Sequence, residues 1–182
     1  MLGILLKIRN IMVGEQNIGK LIKRGLQIGK NVYIGGRVNI DPSHCWLISI
    51  GDNCTFADRV IVLAHDASTK RHLGYTKIGK VCIGNRTFIG AGSIILPGVS
   101  IGEDVIVGAG SVVTKDIPSN SLAMGNPATV IGTTSEYIQK HKDKMNKRSV
   151  YSSKGWTLNG GITDSGKKQQ CIDLESGIGY VE

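Results

Sequence analysis

From residue 83 to residue 113 an apolar side chain returns at every sixth position: Ile83, Ile89, Ile95, Ile101, Val107 and Val113. A buried helix face repeats near 3.6 and a half-buried strand repeats at 2, so a sustained six fits neither. The rhythm also runs through Ile28, Ile34 and Ile40. It resumes at Ile50, Phe56 and Val62 after four extra residues. A small or β-branched residue follows four positions on in most units: Val32, Val38, Cys54, Val60, Thr87, Ser93, Val99, Val105 and Ser111. An apolar residue, a turn of Gly, Asn or Asp type and a second small inward residue describe a short strand ending in a sharp bend. Gly35, Gly51, Gly84 and Gly108 mark corners where close packing or an unusual φ would penalise a Cβ. One unit cannot bury its apolar residue alone, so stacked neighbours must complete the core. The spacing therefore predicts an all-β fold, a parallel β-helix in which three units form a coil and positions 18 apart lie one above another.

Composition agrees. With 25 glycines and only 5% aromatic residues, the core must be built from Ile, Val and Leu, which favours short strands and tight turns. The net charge of +8 is unevenly spread: only Arg86 is basic between Ile83 and Thr114, whereas residues 140–168 hold eight Lys or Arg. Solvated basic ends are the first reading and a surface for an anionic small molecule or partner the second. No nucleic-acid motif or aromatic-and-basic strip is present, so no nucleic-acid partner is expected. Four cysteines without C-x-x-C spacing, and no secretory signal, point to reduced thiols and a cytoplasmic location. The opening MLGILLKIRNIM is too short to span a membrane and is interrupted by Lys7 and Arg9. It reads as part of a helical segment over residues 1–25. Packing against the base of the domain is preferred to lying on a membrane surface.

Two features could carry chemistry. Gly90-Ala91-Gly92 and Gly108-Ala109-Gly110 are 18 apart and should stack into a groove with accessible backbone amides, although tight corners also demand small residues. The repeat breaks after Val62 with VLAHDASTKRHLGYTKIGKVC, and a loop thrown out of a solenoid commonly carries function. His65 is the last regular position before the loop, taken as 66–77; a lone histidine is more often structural. Lys70, Arg71, His72 and Tyr75 make a polar, partly cationic tip, either solvated or reaching a neighbouring subunit. One coil below His65, the insertion DPSHCWLIS brings Asp41, Ser43 and His44 close by. Asp41 or His44 could orient an imidazole or hold a substrate, and Asp66 should face the other way in an extended strand.

The runs IGDNCTFADRV, IGNRTFIGAGSIILPGVSIGEDVIVGAGSVVTKDIP and GNPATVI resemble the hexapeptide-repeat acyltransferases over residues 25–132, in feel the sugar and surface-polysaccharide O-acetyltransferases. The resemblance implies a left-handed coil, a homotrimer with sites between subunits, and acetyl-CoA as acyl donor. It implies His65 as the catalytic general base. It also implies coenzyme contacts at Ala91, Ala109, Thr114 and Lys115. The expected acceptor is a small molecule or glycan. An amino-sugar N-acetyltransferase or serine acetyltransferase is the alternative, and a non-enzymatic scaffold a third reading. Zinc carbonic anhydrases share the fold but use an H-x-x-x-x-H pair, which His65 and His72 do not match, so no metal is expected. Thr133-Thr134-Ser135 should cap a helix reaching about Lys147 and closing the solenoid. Residues 133–182 form this helix and an extended tail, with 149–182 a partly ordered arm.

Overall fold

A computed structural model describes residues 16–182; the first fifteen residues of the expected 1–25 helical segment lie outside them. The chain divides into two compact units, one ending at Thr134 and the other spanning Ser135–Glu182.

The first unit begins with α1 (Ile18–Lys23), capped by the Asn17 side chain on the Lys20 N–H. Short strands follow: β1 (Gln27–Ile28), β2 (Tyr33–Ile34), β3 (Asn39–Ile40), β4 (Ile48–Ile50), β5 (Thr55–Phe56) and β6 (Ile61–Val62). After an excursion come β9 (Val81–Ile83), β10 (Phe88–Ile89), β11 (Ile94–Ile95), β12 (Ser100–Ile101), β13 (Ile106–Val107) and β14 (Val112–Val113). The chain visits three sheets in strict rotation. The first sheet is ordered β1-β4-β9-β12, the second includes β13-β10-β5-β2, and the third is β14-β11-β6-β3. All these pairings are parallel. Register partners are 18 apart in the regular region, as Phe88 with Ile106 and Ile94 with Val112. They widen where the chain inserts residues, as Tyr33 with Thr55 and Thr55 with Phe88.

The period of six is the interior of this coil. Ile40, Phe56, Val62, Ile89, Ile95 and Val107 are wholly buried, and Val38, Cys54, Val60, Val99 and Val105 fill the second inward positions. Each buried aliphatic side chain contributes about 1.5–3 kcal/mol relative to exposure. Where the inward residue is a hydroxyl it is satisfied: Thr87 donates to Gly102 O at 2.9 Å and Ser93 to Gly108 O at 3.0 Å. The corner glycines act by close approach. A Cβ on Gly84 would lie 2.6 Å from Gly102 C, and one on Gly51 2.8 Å from Asn85 N. The left-handed backbone sits elsewhere, at Asn31, Asn53, Arg86 and Asp104 on one corner and Arg37, Arg59, Gly92 and Gly110 on the next.

The stack ends with β15 (Ser121–Gly125), parallel to β13, and β16 (Ala128–Thr133), antiparallel to β15. The helix expected to close the solenoid falls almost wholly in the second unit; within the first, an antiparallel strand extends the second sheet past its last coil.

The second unit also differs from expectation. Residues 149–182 are not an extended arm. After α3 (Thr134–Met145) come β17 (Val150–Tyr151), a kinked helical turn α4 (Ser153–Trp156), α5 (Asp164–Asp173) and β18 (Tyr180–Val181), with β17 parallel to β18. Tyr151 is buried, stacks on Trp156 at 4.7 Å and donates to Asp173 Oδ2 at 2.8 Å. His141 Nδ1 lies 2.9 Å from the Tyr180 hydroxyl. A few aromatic anchors far apart in sequence gather this segment, and such contacts leave no periodic trace.

Candidate active site

Both insertions leave the coil at one corner, the turn from the third sheet to the first. The four extra residues lie between β3 and β4, and the long excursion lies between β6 and β9. The two are stacked because β3 pairs with β6. Asp41 follows β3 directly, and His65 opens β7 (His65–Asp66) just past β6. Two residues 24 apart in sequence therefore come into direct contact.

The Asp41 side chain is wholly buried. Its Oδ1 accepts the Ser43 N–H at 2.9 Å and the His44 N–H at 3.3 Å; its Oδ2 accepts the Ala64 N–H at 3.1 Å. Oδ2 is also the partner of His65 Nδ1 in a short hydrogen bond. Burial pushes the Asp41 carboxyl upward, but the His65 bond and the Ser43 and Ala64 amides outweigh it and hold the group below the usual carboxylate range. An ionised carboxylate only accepts, so Nδ1 carries the proton of that bond and neutral His65 keeps its lone pair on Nε2. The His65 side chain is one-third exposed, enough for a substrate to reach it.

His44 stands beside this pair. Its ring lies 5.1 Å from the His65 ring and 5.3 Å from Trp46. Its Nδ1 is buried without a hydrogen-bond partner, 4.0 Å from Asp41 Oδ2. His44 thus meets the carboxylate through its backbone N–H, while its imidazole packs at a tilt between Trp46 and His65. Asp41, His44 and His65 offer ligand atoms within 4.8 Å of one another, a donor set that a divalent ion such as zinc accepts. No metal was expected from the sequence. In this structure Asp41 Oδ2 and His65 Nδ1 are bonded directly to each other.

Asp66 does not join the cluster. β7 pairs with β8 (Lys77–Ile78) as an antiparallel hairpin enclosing a short helical turn, α2 (Lys70–Leu73). The Asp66 carboxylate meets Lys77 Nζ at 2.7 Å and accepts the Ser68 N–H at 2.8 Å; the Lys77 bond first, then Ser68, brings its pKa down to about 2. Lys70, Arg71, His72 and Tyr75 sit at the exposed hairpin tip.

The proposed coenzyme residues fall on two corners. Ala91 and Ala109 are exposed and stacked between the second and third sheets, with Gly110 N donating to Ala91 O at 2.8 Å. A Cβ on Gly90 would lie 2.5 Å from Ala109 N, whereas Gly92 and Gly110 face open space with φ near +70°. Thr114 and Lys115 are exposed two coils beyond His65, on the same corner as His65. Ala109 and Thr114 are five residues apart, at most about 17 Å at strand rise, with the left-handed turn at Gly110 between them. One chain alone thus brings Asp41, His44 and His65 together but keeps the two alanines at the far edge of a prism face.

Trp46 was not singled out in the sequence. It lies in the short 3-10 turn Cys45–Leu47 made by the first insertion and is 53% exposed, while Cys45 beside it is fully buried. The alternation of a buried Cys and an aromatic residue in DPSHCWL was the available signal.

The bacterial transferase hexapeptide (six repeats) family matches residues 83–115, and the hexapeptide repeat of succinyl-transferase matches residues 25–57. Protein CapG of Staphylococcus aureus is 38% identical over 85% of this chain and 92% of its own length. A maltose O-acetyltransferase from Clostridium difficile 630 superposes with TM-score 0.52 at 32% identity, covering 62% of this chain and 72% of that one. A hexapeptide-repeat-containing acetyltransferase from Vibrio cholerae O1 biovar eltor, complexed with acetyl coenzyme A, gives TM-score 0.53 at 26% identity and 61% coverage of each chain. Repeat, fold and near full-length similarity agree, and the chain belongs to the bacterial hexapeptide-repeat acyltransferases.

Proposed function

We propose that this enzyme transfers an acetyl group from acetyl-CoA to a hydroxyl of a sugar or polysaccharide precursor, with His65 as general base. The observation that carries this reading is the buried Asp41 carboxylate on His65 Nδ1, which leaves the Nε2 lone pair uncommitted on a side chain that is one-third exposed. The acceptor oxygen attacks the thioester carbonyl carbon while its proton passes to Nε2. The tetrahedral intermediate then collapses, the C–S bond breaks, and the coenzyme thiolate takes the proton back from the imidazolium. Asp41 stabilises that imidazolium and fixes its tautomer. The acetyl group passes directly within a ternary complex, without a covalent enzyme intermediate.

In this reading the coil is left-handed and the enzyme is a cytoplasmic homotrimer. The coenzyme runs along the Ala91–Ala109 edge of one copy toward His65 of the next, with Thr114 and Lys115 near its polar end. The separation of the two corners within one chain supports a site shared between copies. So do Tyr33 and Phe88, exposed on the outer face of the second sheet. Among the described residues no helix is long and apolar enough to cross a membrane.

A thioester-release assay against a panel of sugars, comparing wild type with His65→Ala, tests the assignment. Loss of about 10²–10⁴ in rate is expected; equal rates would refute His65 as base. Thermal stabilisation by coenzyme A should accompany activity.

A further inference from the structure

We propose that Trp46 is the acceptor platform of this enzyme, an aromatic surface that takes the apolar face of a pyranose ring and presents a rim hydroxyl to His65. The inference rests on the sugar-acetyltransferase reading above and adds the residue that selects the acceptor. Three rings stand in a row: Trp46 beside His44 at 5.3 Å, and His44 beside His65 at 5.1 Å. The far end of the row is the base; the near end is an indole left 53% exposed. The flat indole face matches the C–H face of a sugar, and the hydroxyl rim of that sugar stays free for polar contact.

The indole is also held in place, as a platform must be. The Cys45 thiol beside it reaches Leu21 O at 3.6 Å and Arg24 O at 3.7 Å. Leu47 N donates to His44 O at 2.9 Å, closing the turn. Gly25, with φ of +106°, packs so closely against the root of the Trp46 side chain that an added Cβ would lie 2.9 Å from Trp46 Cβ. The residue before Trp46 is thus anchored in the core and the ring is directed outward. The same turn is tied to Asp41, the partner of His65, through the His44 N–H at 3.3 Å.

Initial-rate kinetics on the full chain, with acetyl-CoA and the best wild-type sugar acceptor, test the proposal. Trp46→Ala should raise KM for the sugar about tenfold and leave KM for acetyl-CoA unchanged, and Trp46→Phe should recover most of the loss. A rise in KM for acetyl-CoA instead would make Trp46 a coenzyme contact and overturn the proposal, as would an unchanged sugar KM. A second readout does not depend on the folding of Trp46→Ala. The chain has two tryptophans, so Trp156→Phe leaves Trp46 as the sole indole, and its fluorescence should shift on titration with the sugar. No shift at saturating sugar would overturn the proposal. If wild type acetylates no sugar at all, the parent reading fails and takes this inference with it. If wild type is active and both Trp46 readouts are flat, only this inference fails.

Discussion

Asp41→Asn is the sharpest perturbation the site offers, because it changes one atom and almost no volume. The carboxylate accepts from both sides: Oδ1 from the Ser43 and His44 amides, Oδ2 from Ala64 N–H and His65. An amide must turn its NH₂ toward one of these pairs. Facing Ser43 and His44, it sets donor against donor and leaves His65 without a counter-charge. Facing Ala64 and His65, it clashes with one amide and forces the His65 proton from Nδ1 to Nε2, which removes the base. The stability cost of one unsatisfied buried pair is about 1–3 kcal/mol. In a chain of this size that lowers Tm by roughly 2–4 °C per kcal/mol. The activity cost is larger, about a thousandfold in kcat/KM, because both orientations disable the imidazole. Steady-state kinetics below the variant's Tm, beside a thermal melt, separate the two effects. A folded variant with kcat/KM within about threefold of wild type would refute the reasoning. The pH dependence gives an independent sign. Asp41 is held below its unfolded value, so its contribution is complete above about pH 3.9 and is lost as pH falls through the lower folded value. The stability gap between wild type and Asp41→Asn should therefore be widest above that pH and close on further acidification.

Gly90→Ala should cost about 3 kcal/mol, since its Cβ would meet the backbone of the next coil at 2.5 Å, while Gly110→Ala, strained only by its φ of +70°, should cost about 1 kcal/mol; chemical denaturation compares them. Asp66→Asn should leave kcat and Tm at wild-type values, because its Lys77 bond is at the surface and outside the His65 cluster; a large loss of kcat would return Asp66 to the site.

Much of this architecture is legible along the chain because a coil is a local rule repeated. Each unit spends six residues on one inward side chain, one turn and one small filler, so Ile89, Ile95 and Val107 announce their burial without knowledge of distant partners. The position of His65 before the break, and of Asp41 somewhere beneath it, follows from counting coils. The second unit was not legible: Tyr151, Trp156, Asp173 and Tyr180 meet through contacts that no period records.

The repeat, the core that it fills and the two places where it is interrupted are written along the chain. That both interruptions open at one corner emerges only on folding, because stacking aligns residues separated by unequal insertions. That alignment sets the Asp41 carboxylate against His65 Nδ1, sends Asp66 to Lys77, and leaves the Ala91–Ala109 edge across a prism face from His65. The physical reason is that backbone hydrogen bonds between coils fix vertical register, while the side chain that fills a corner depends on how much chain leaves the coil there.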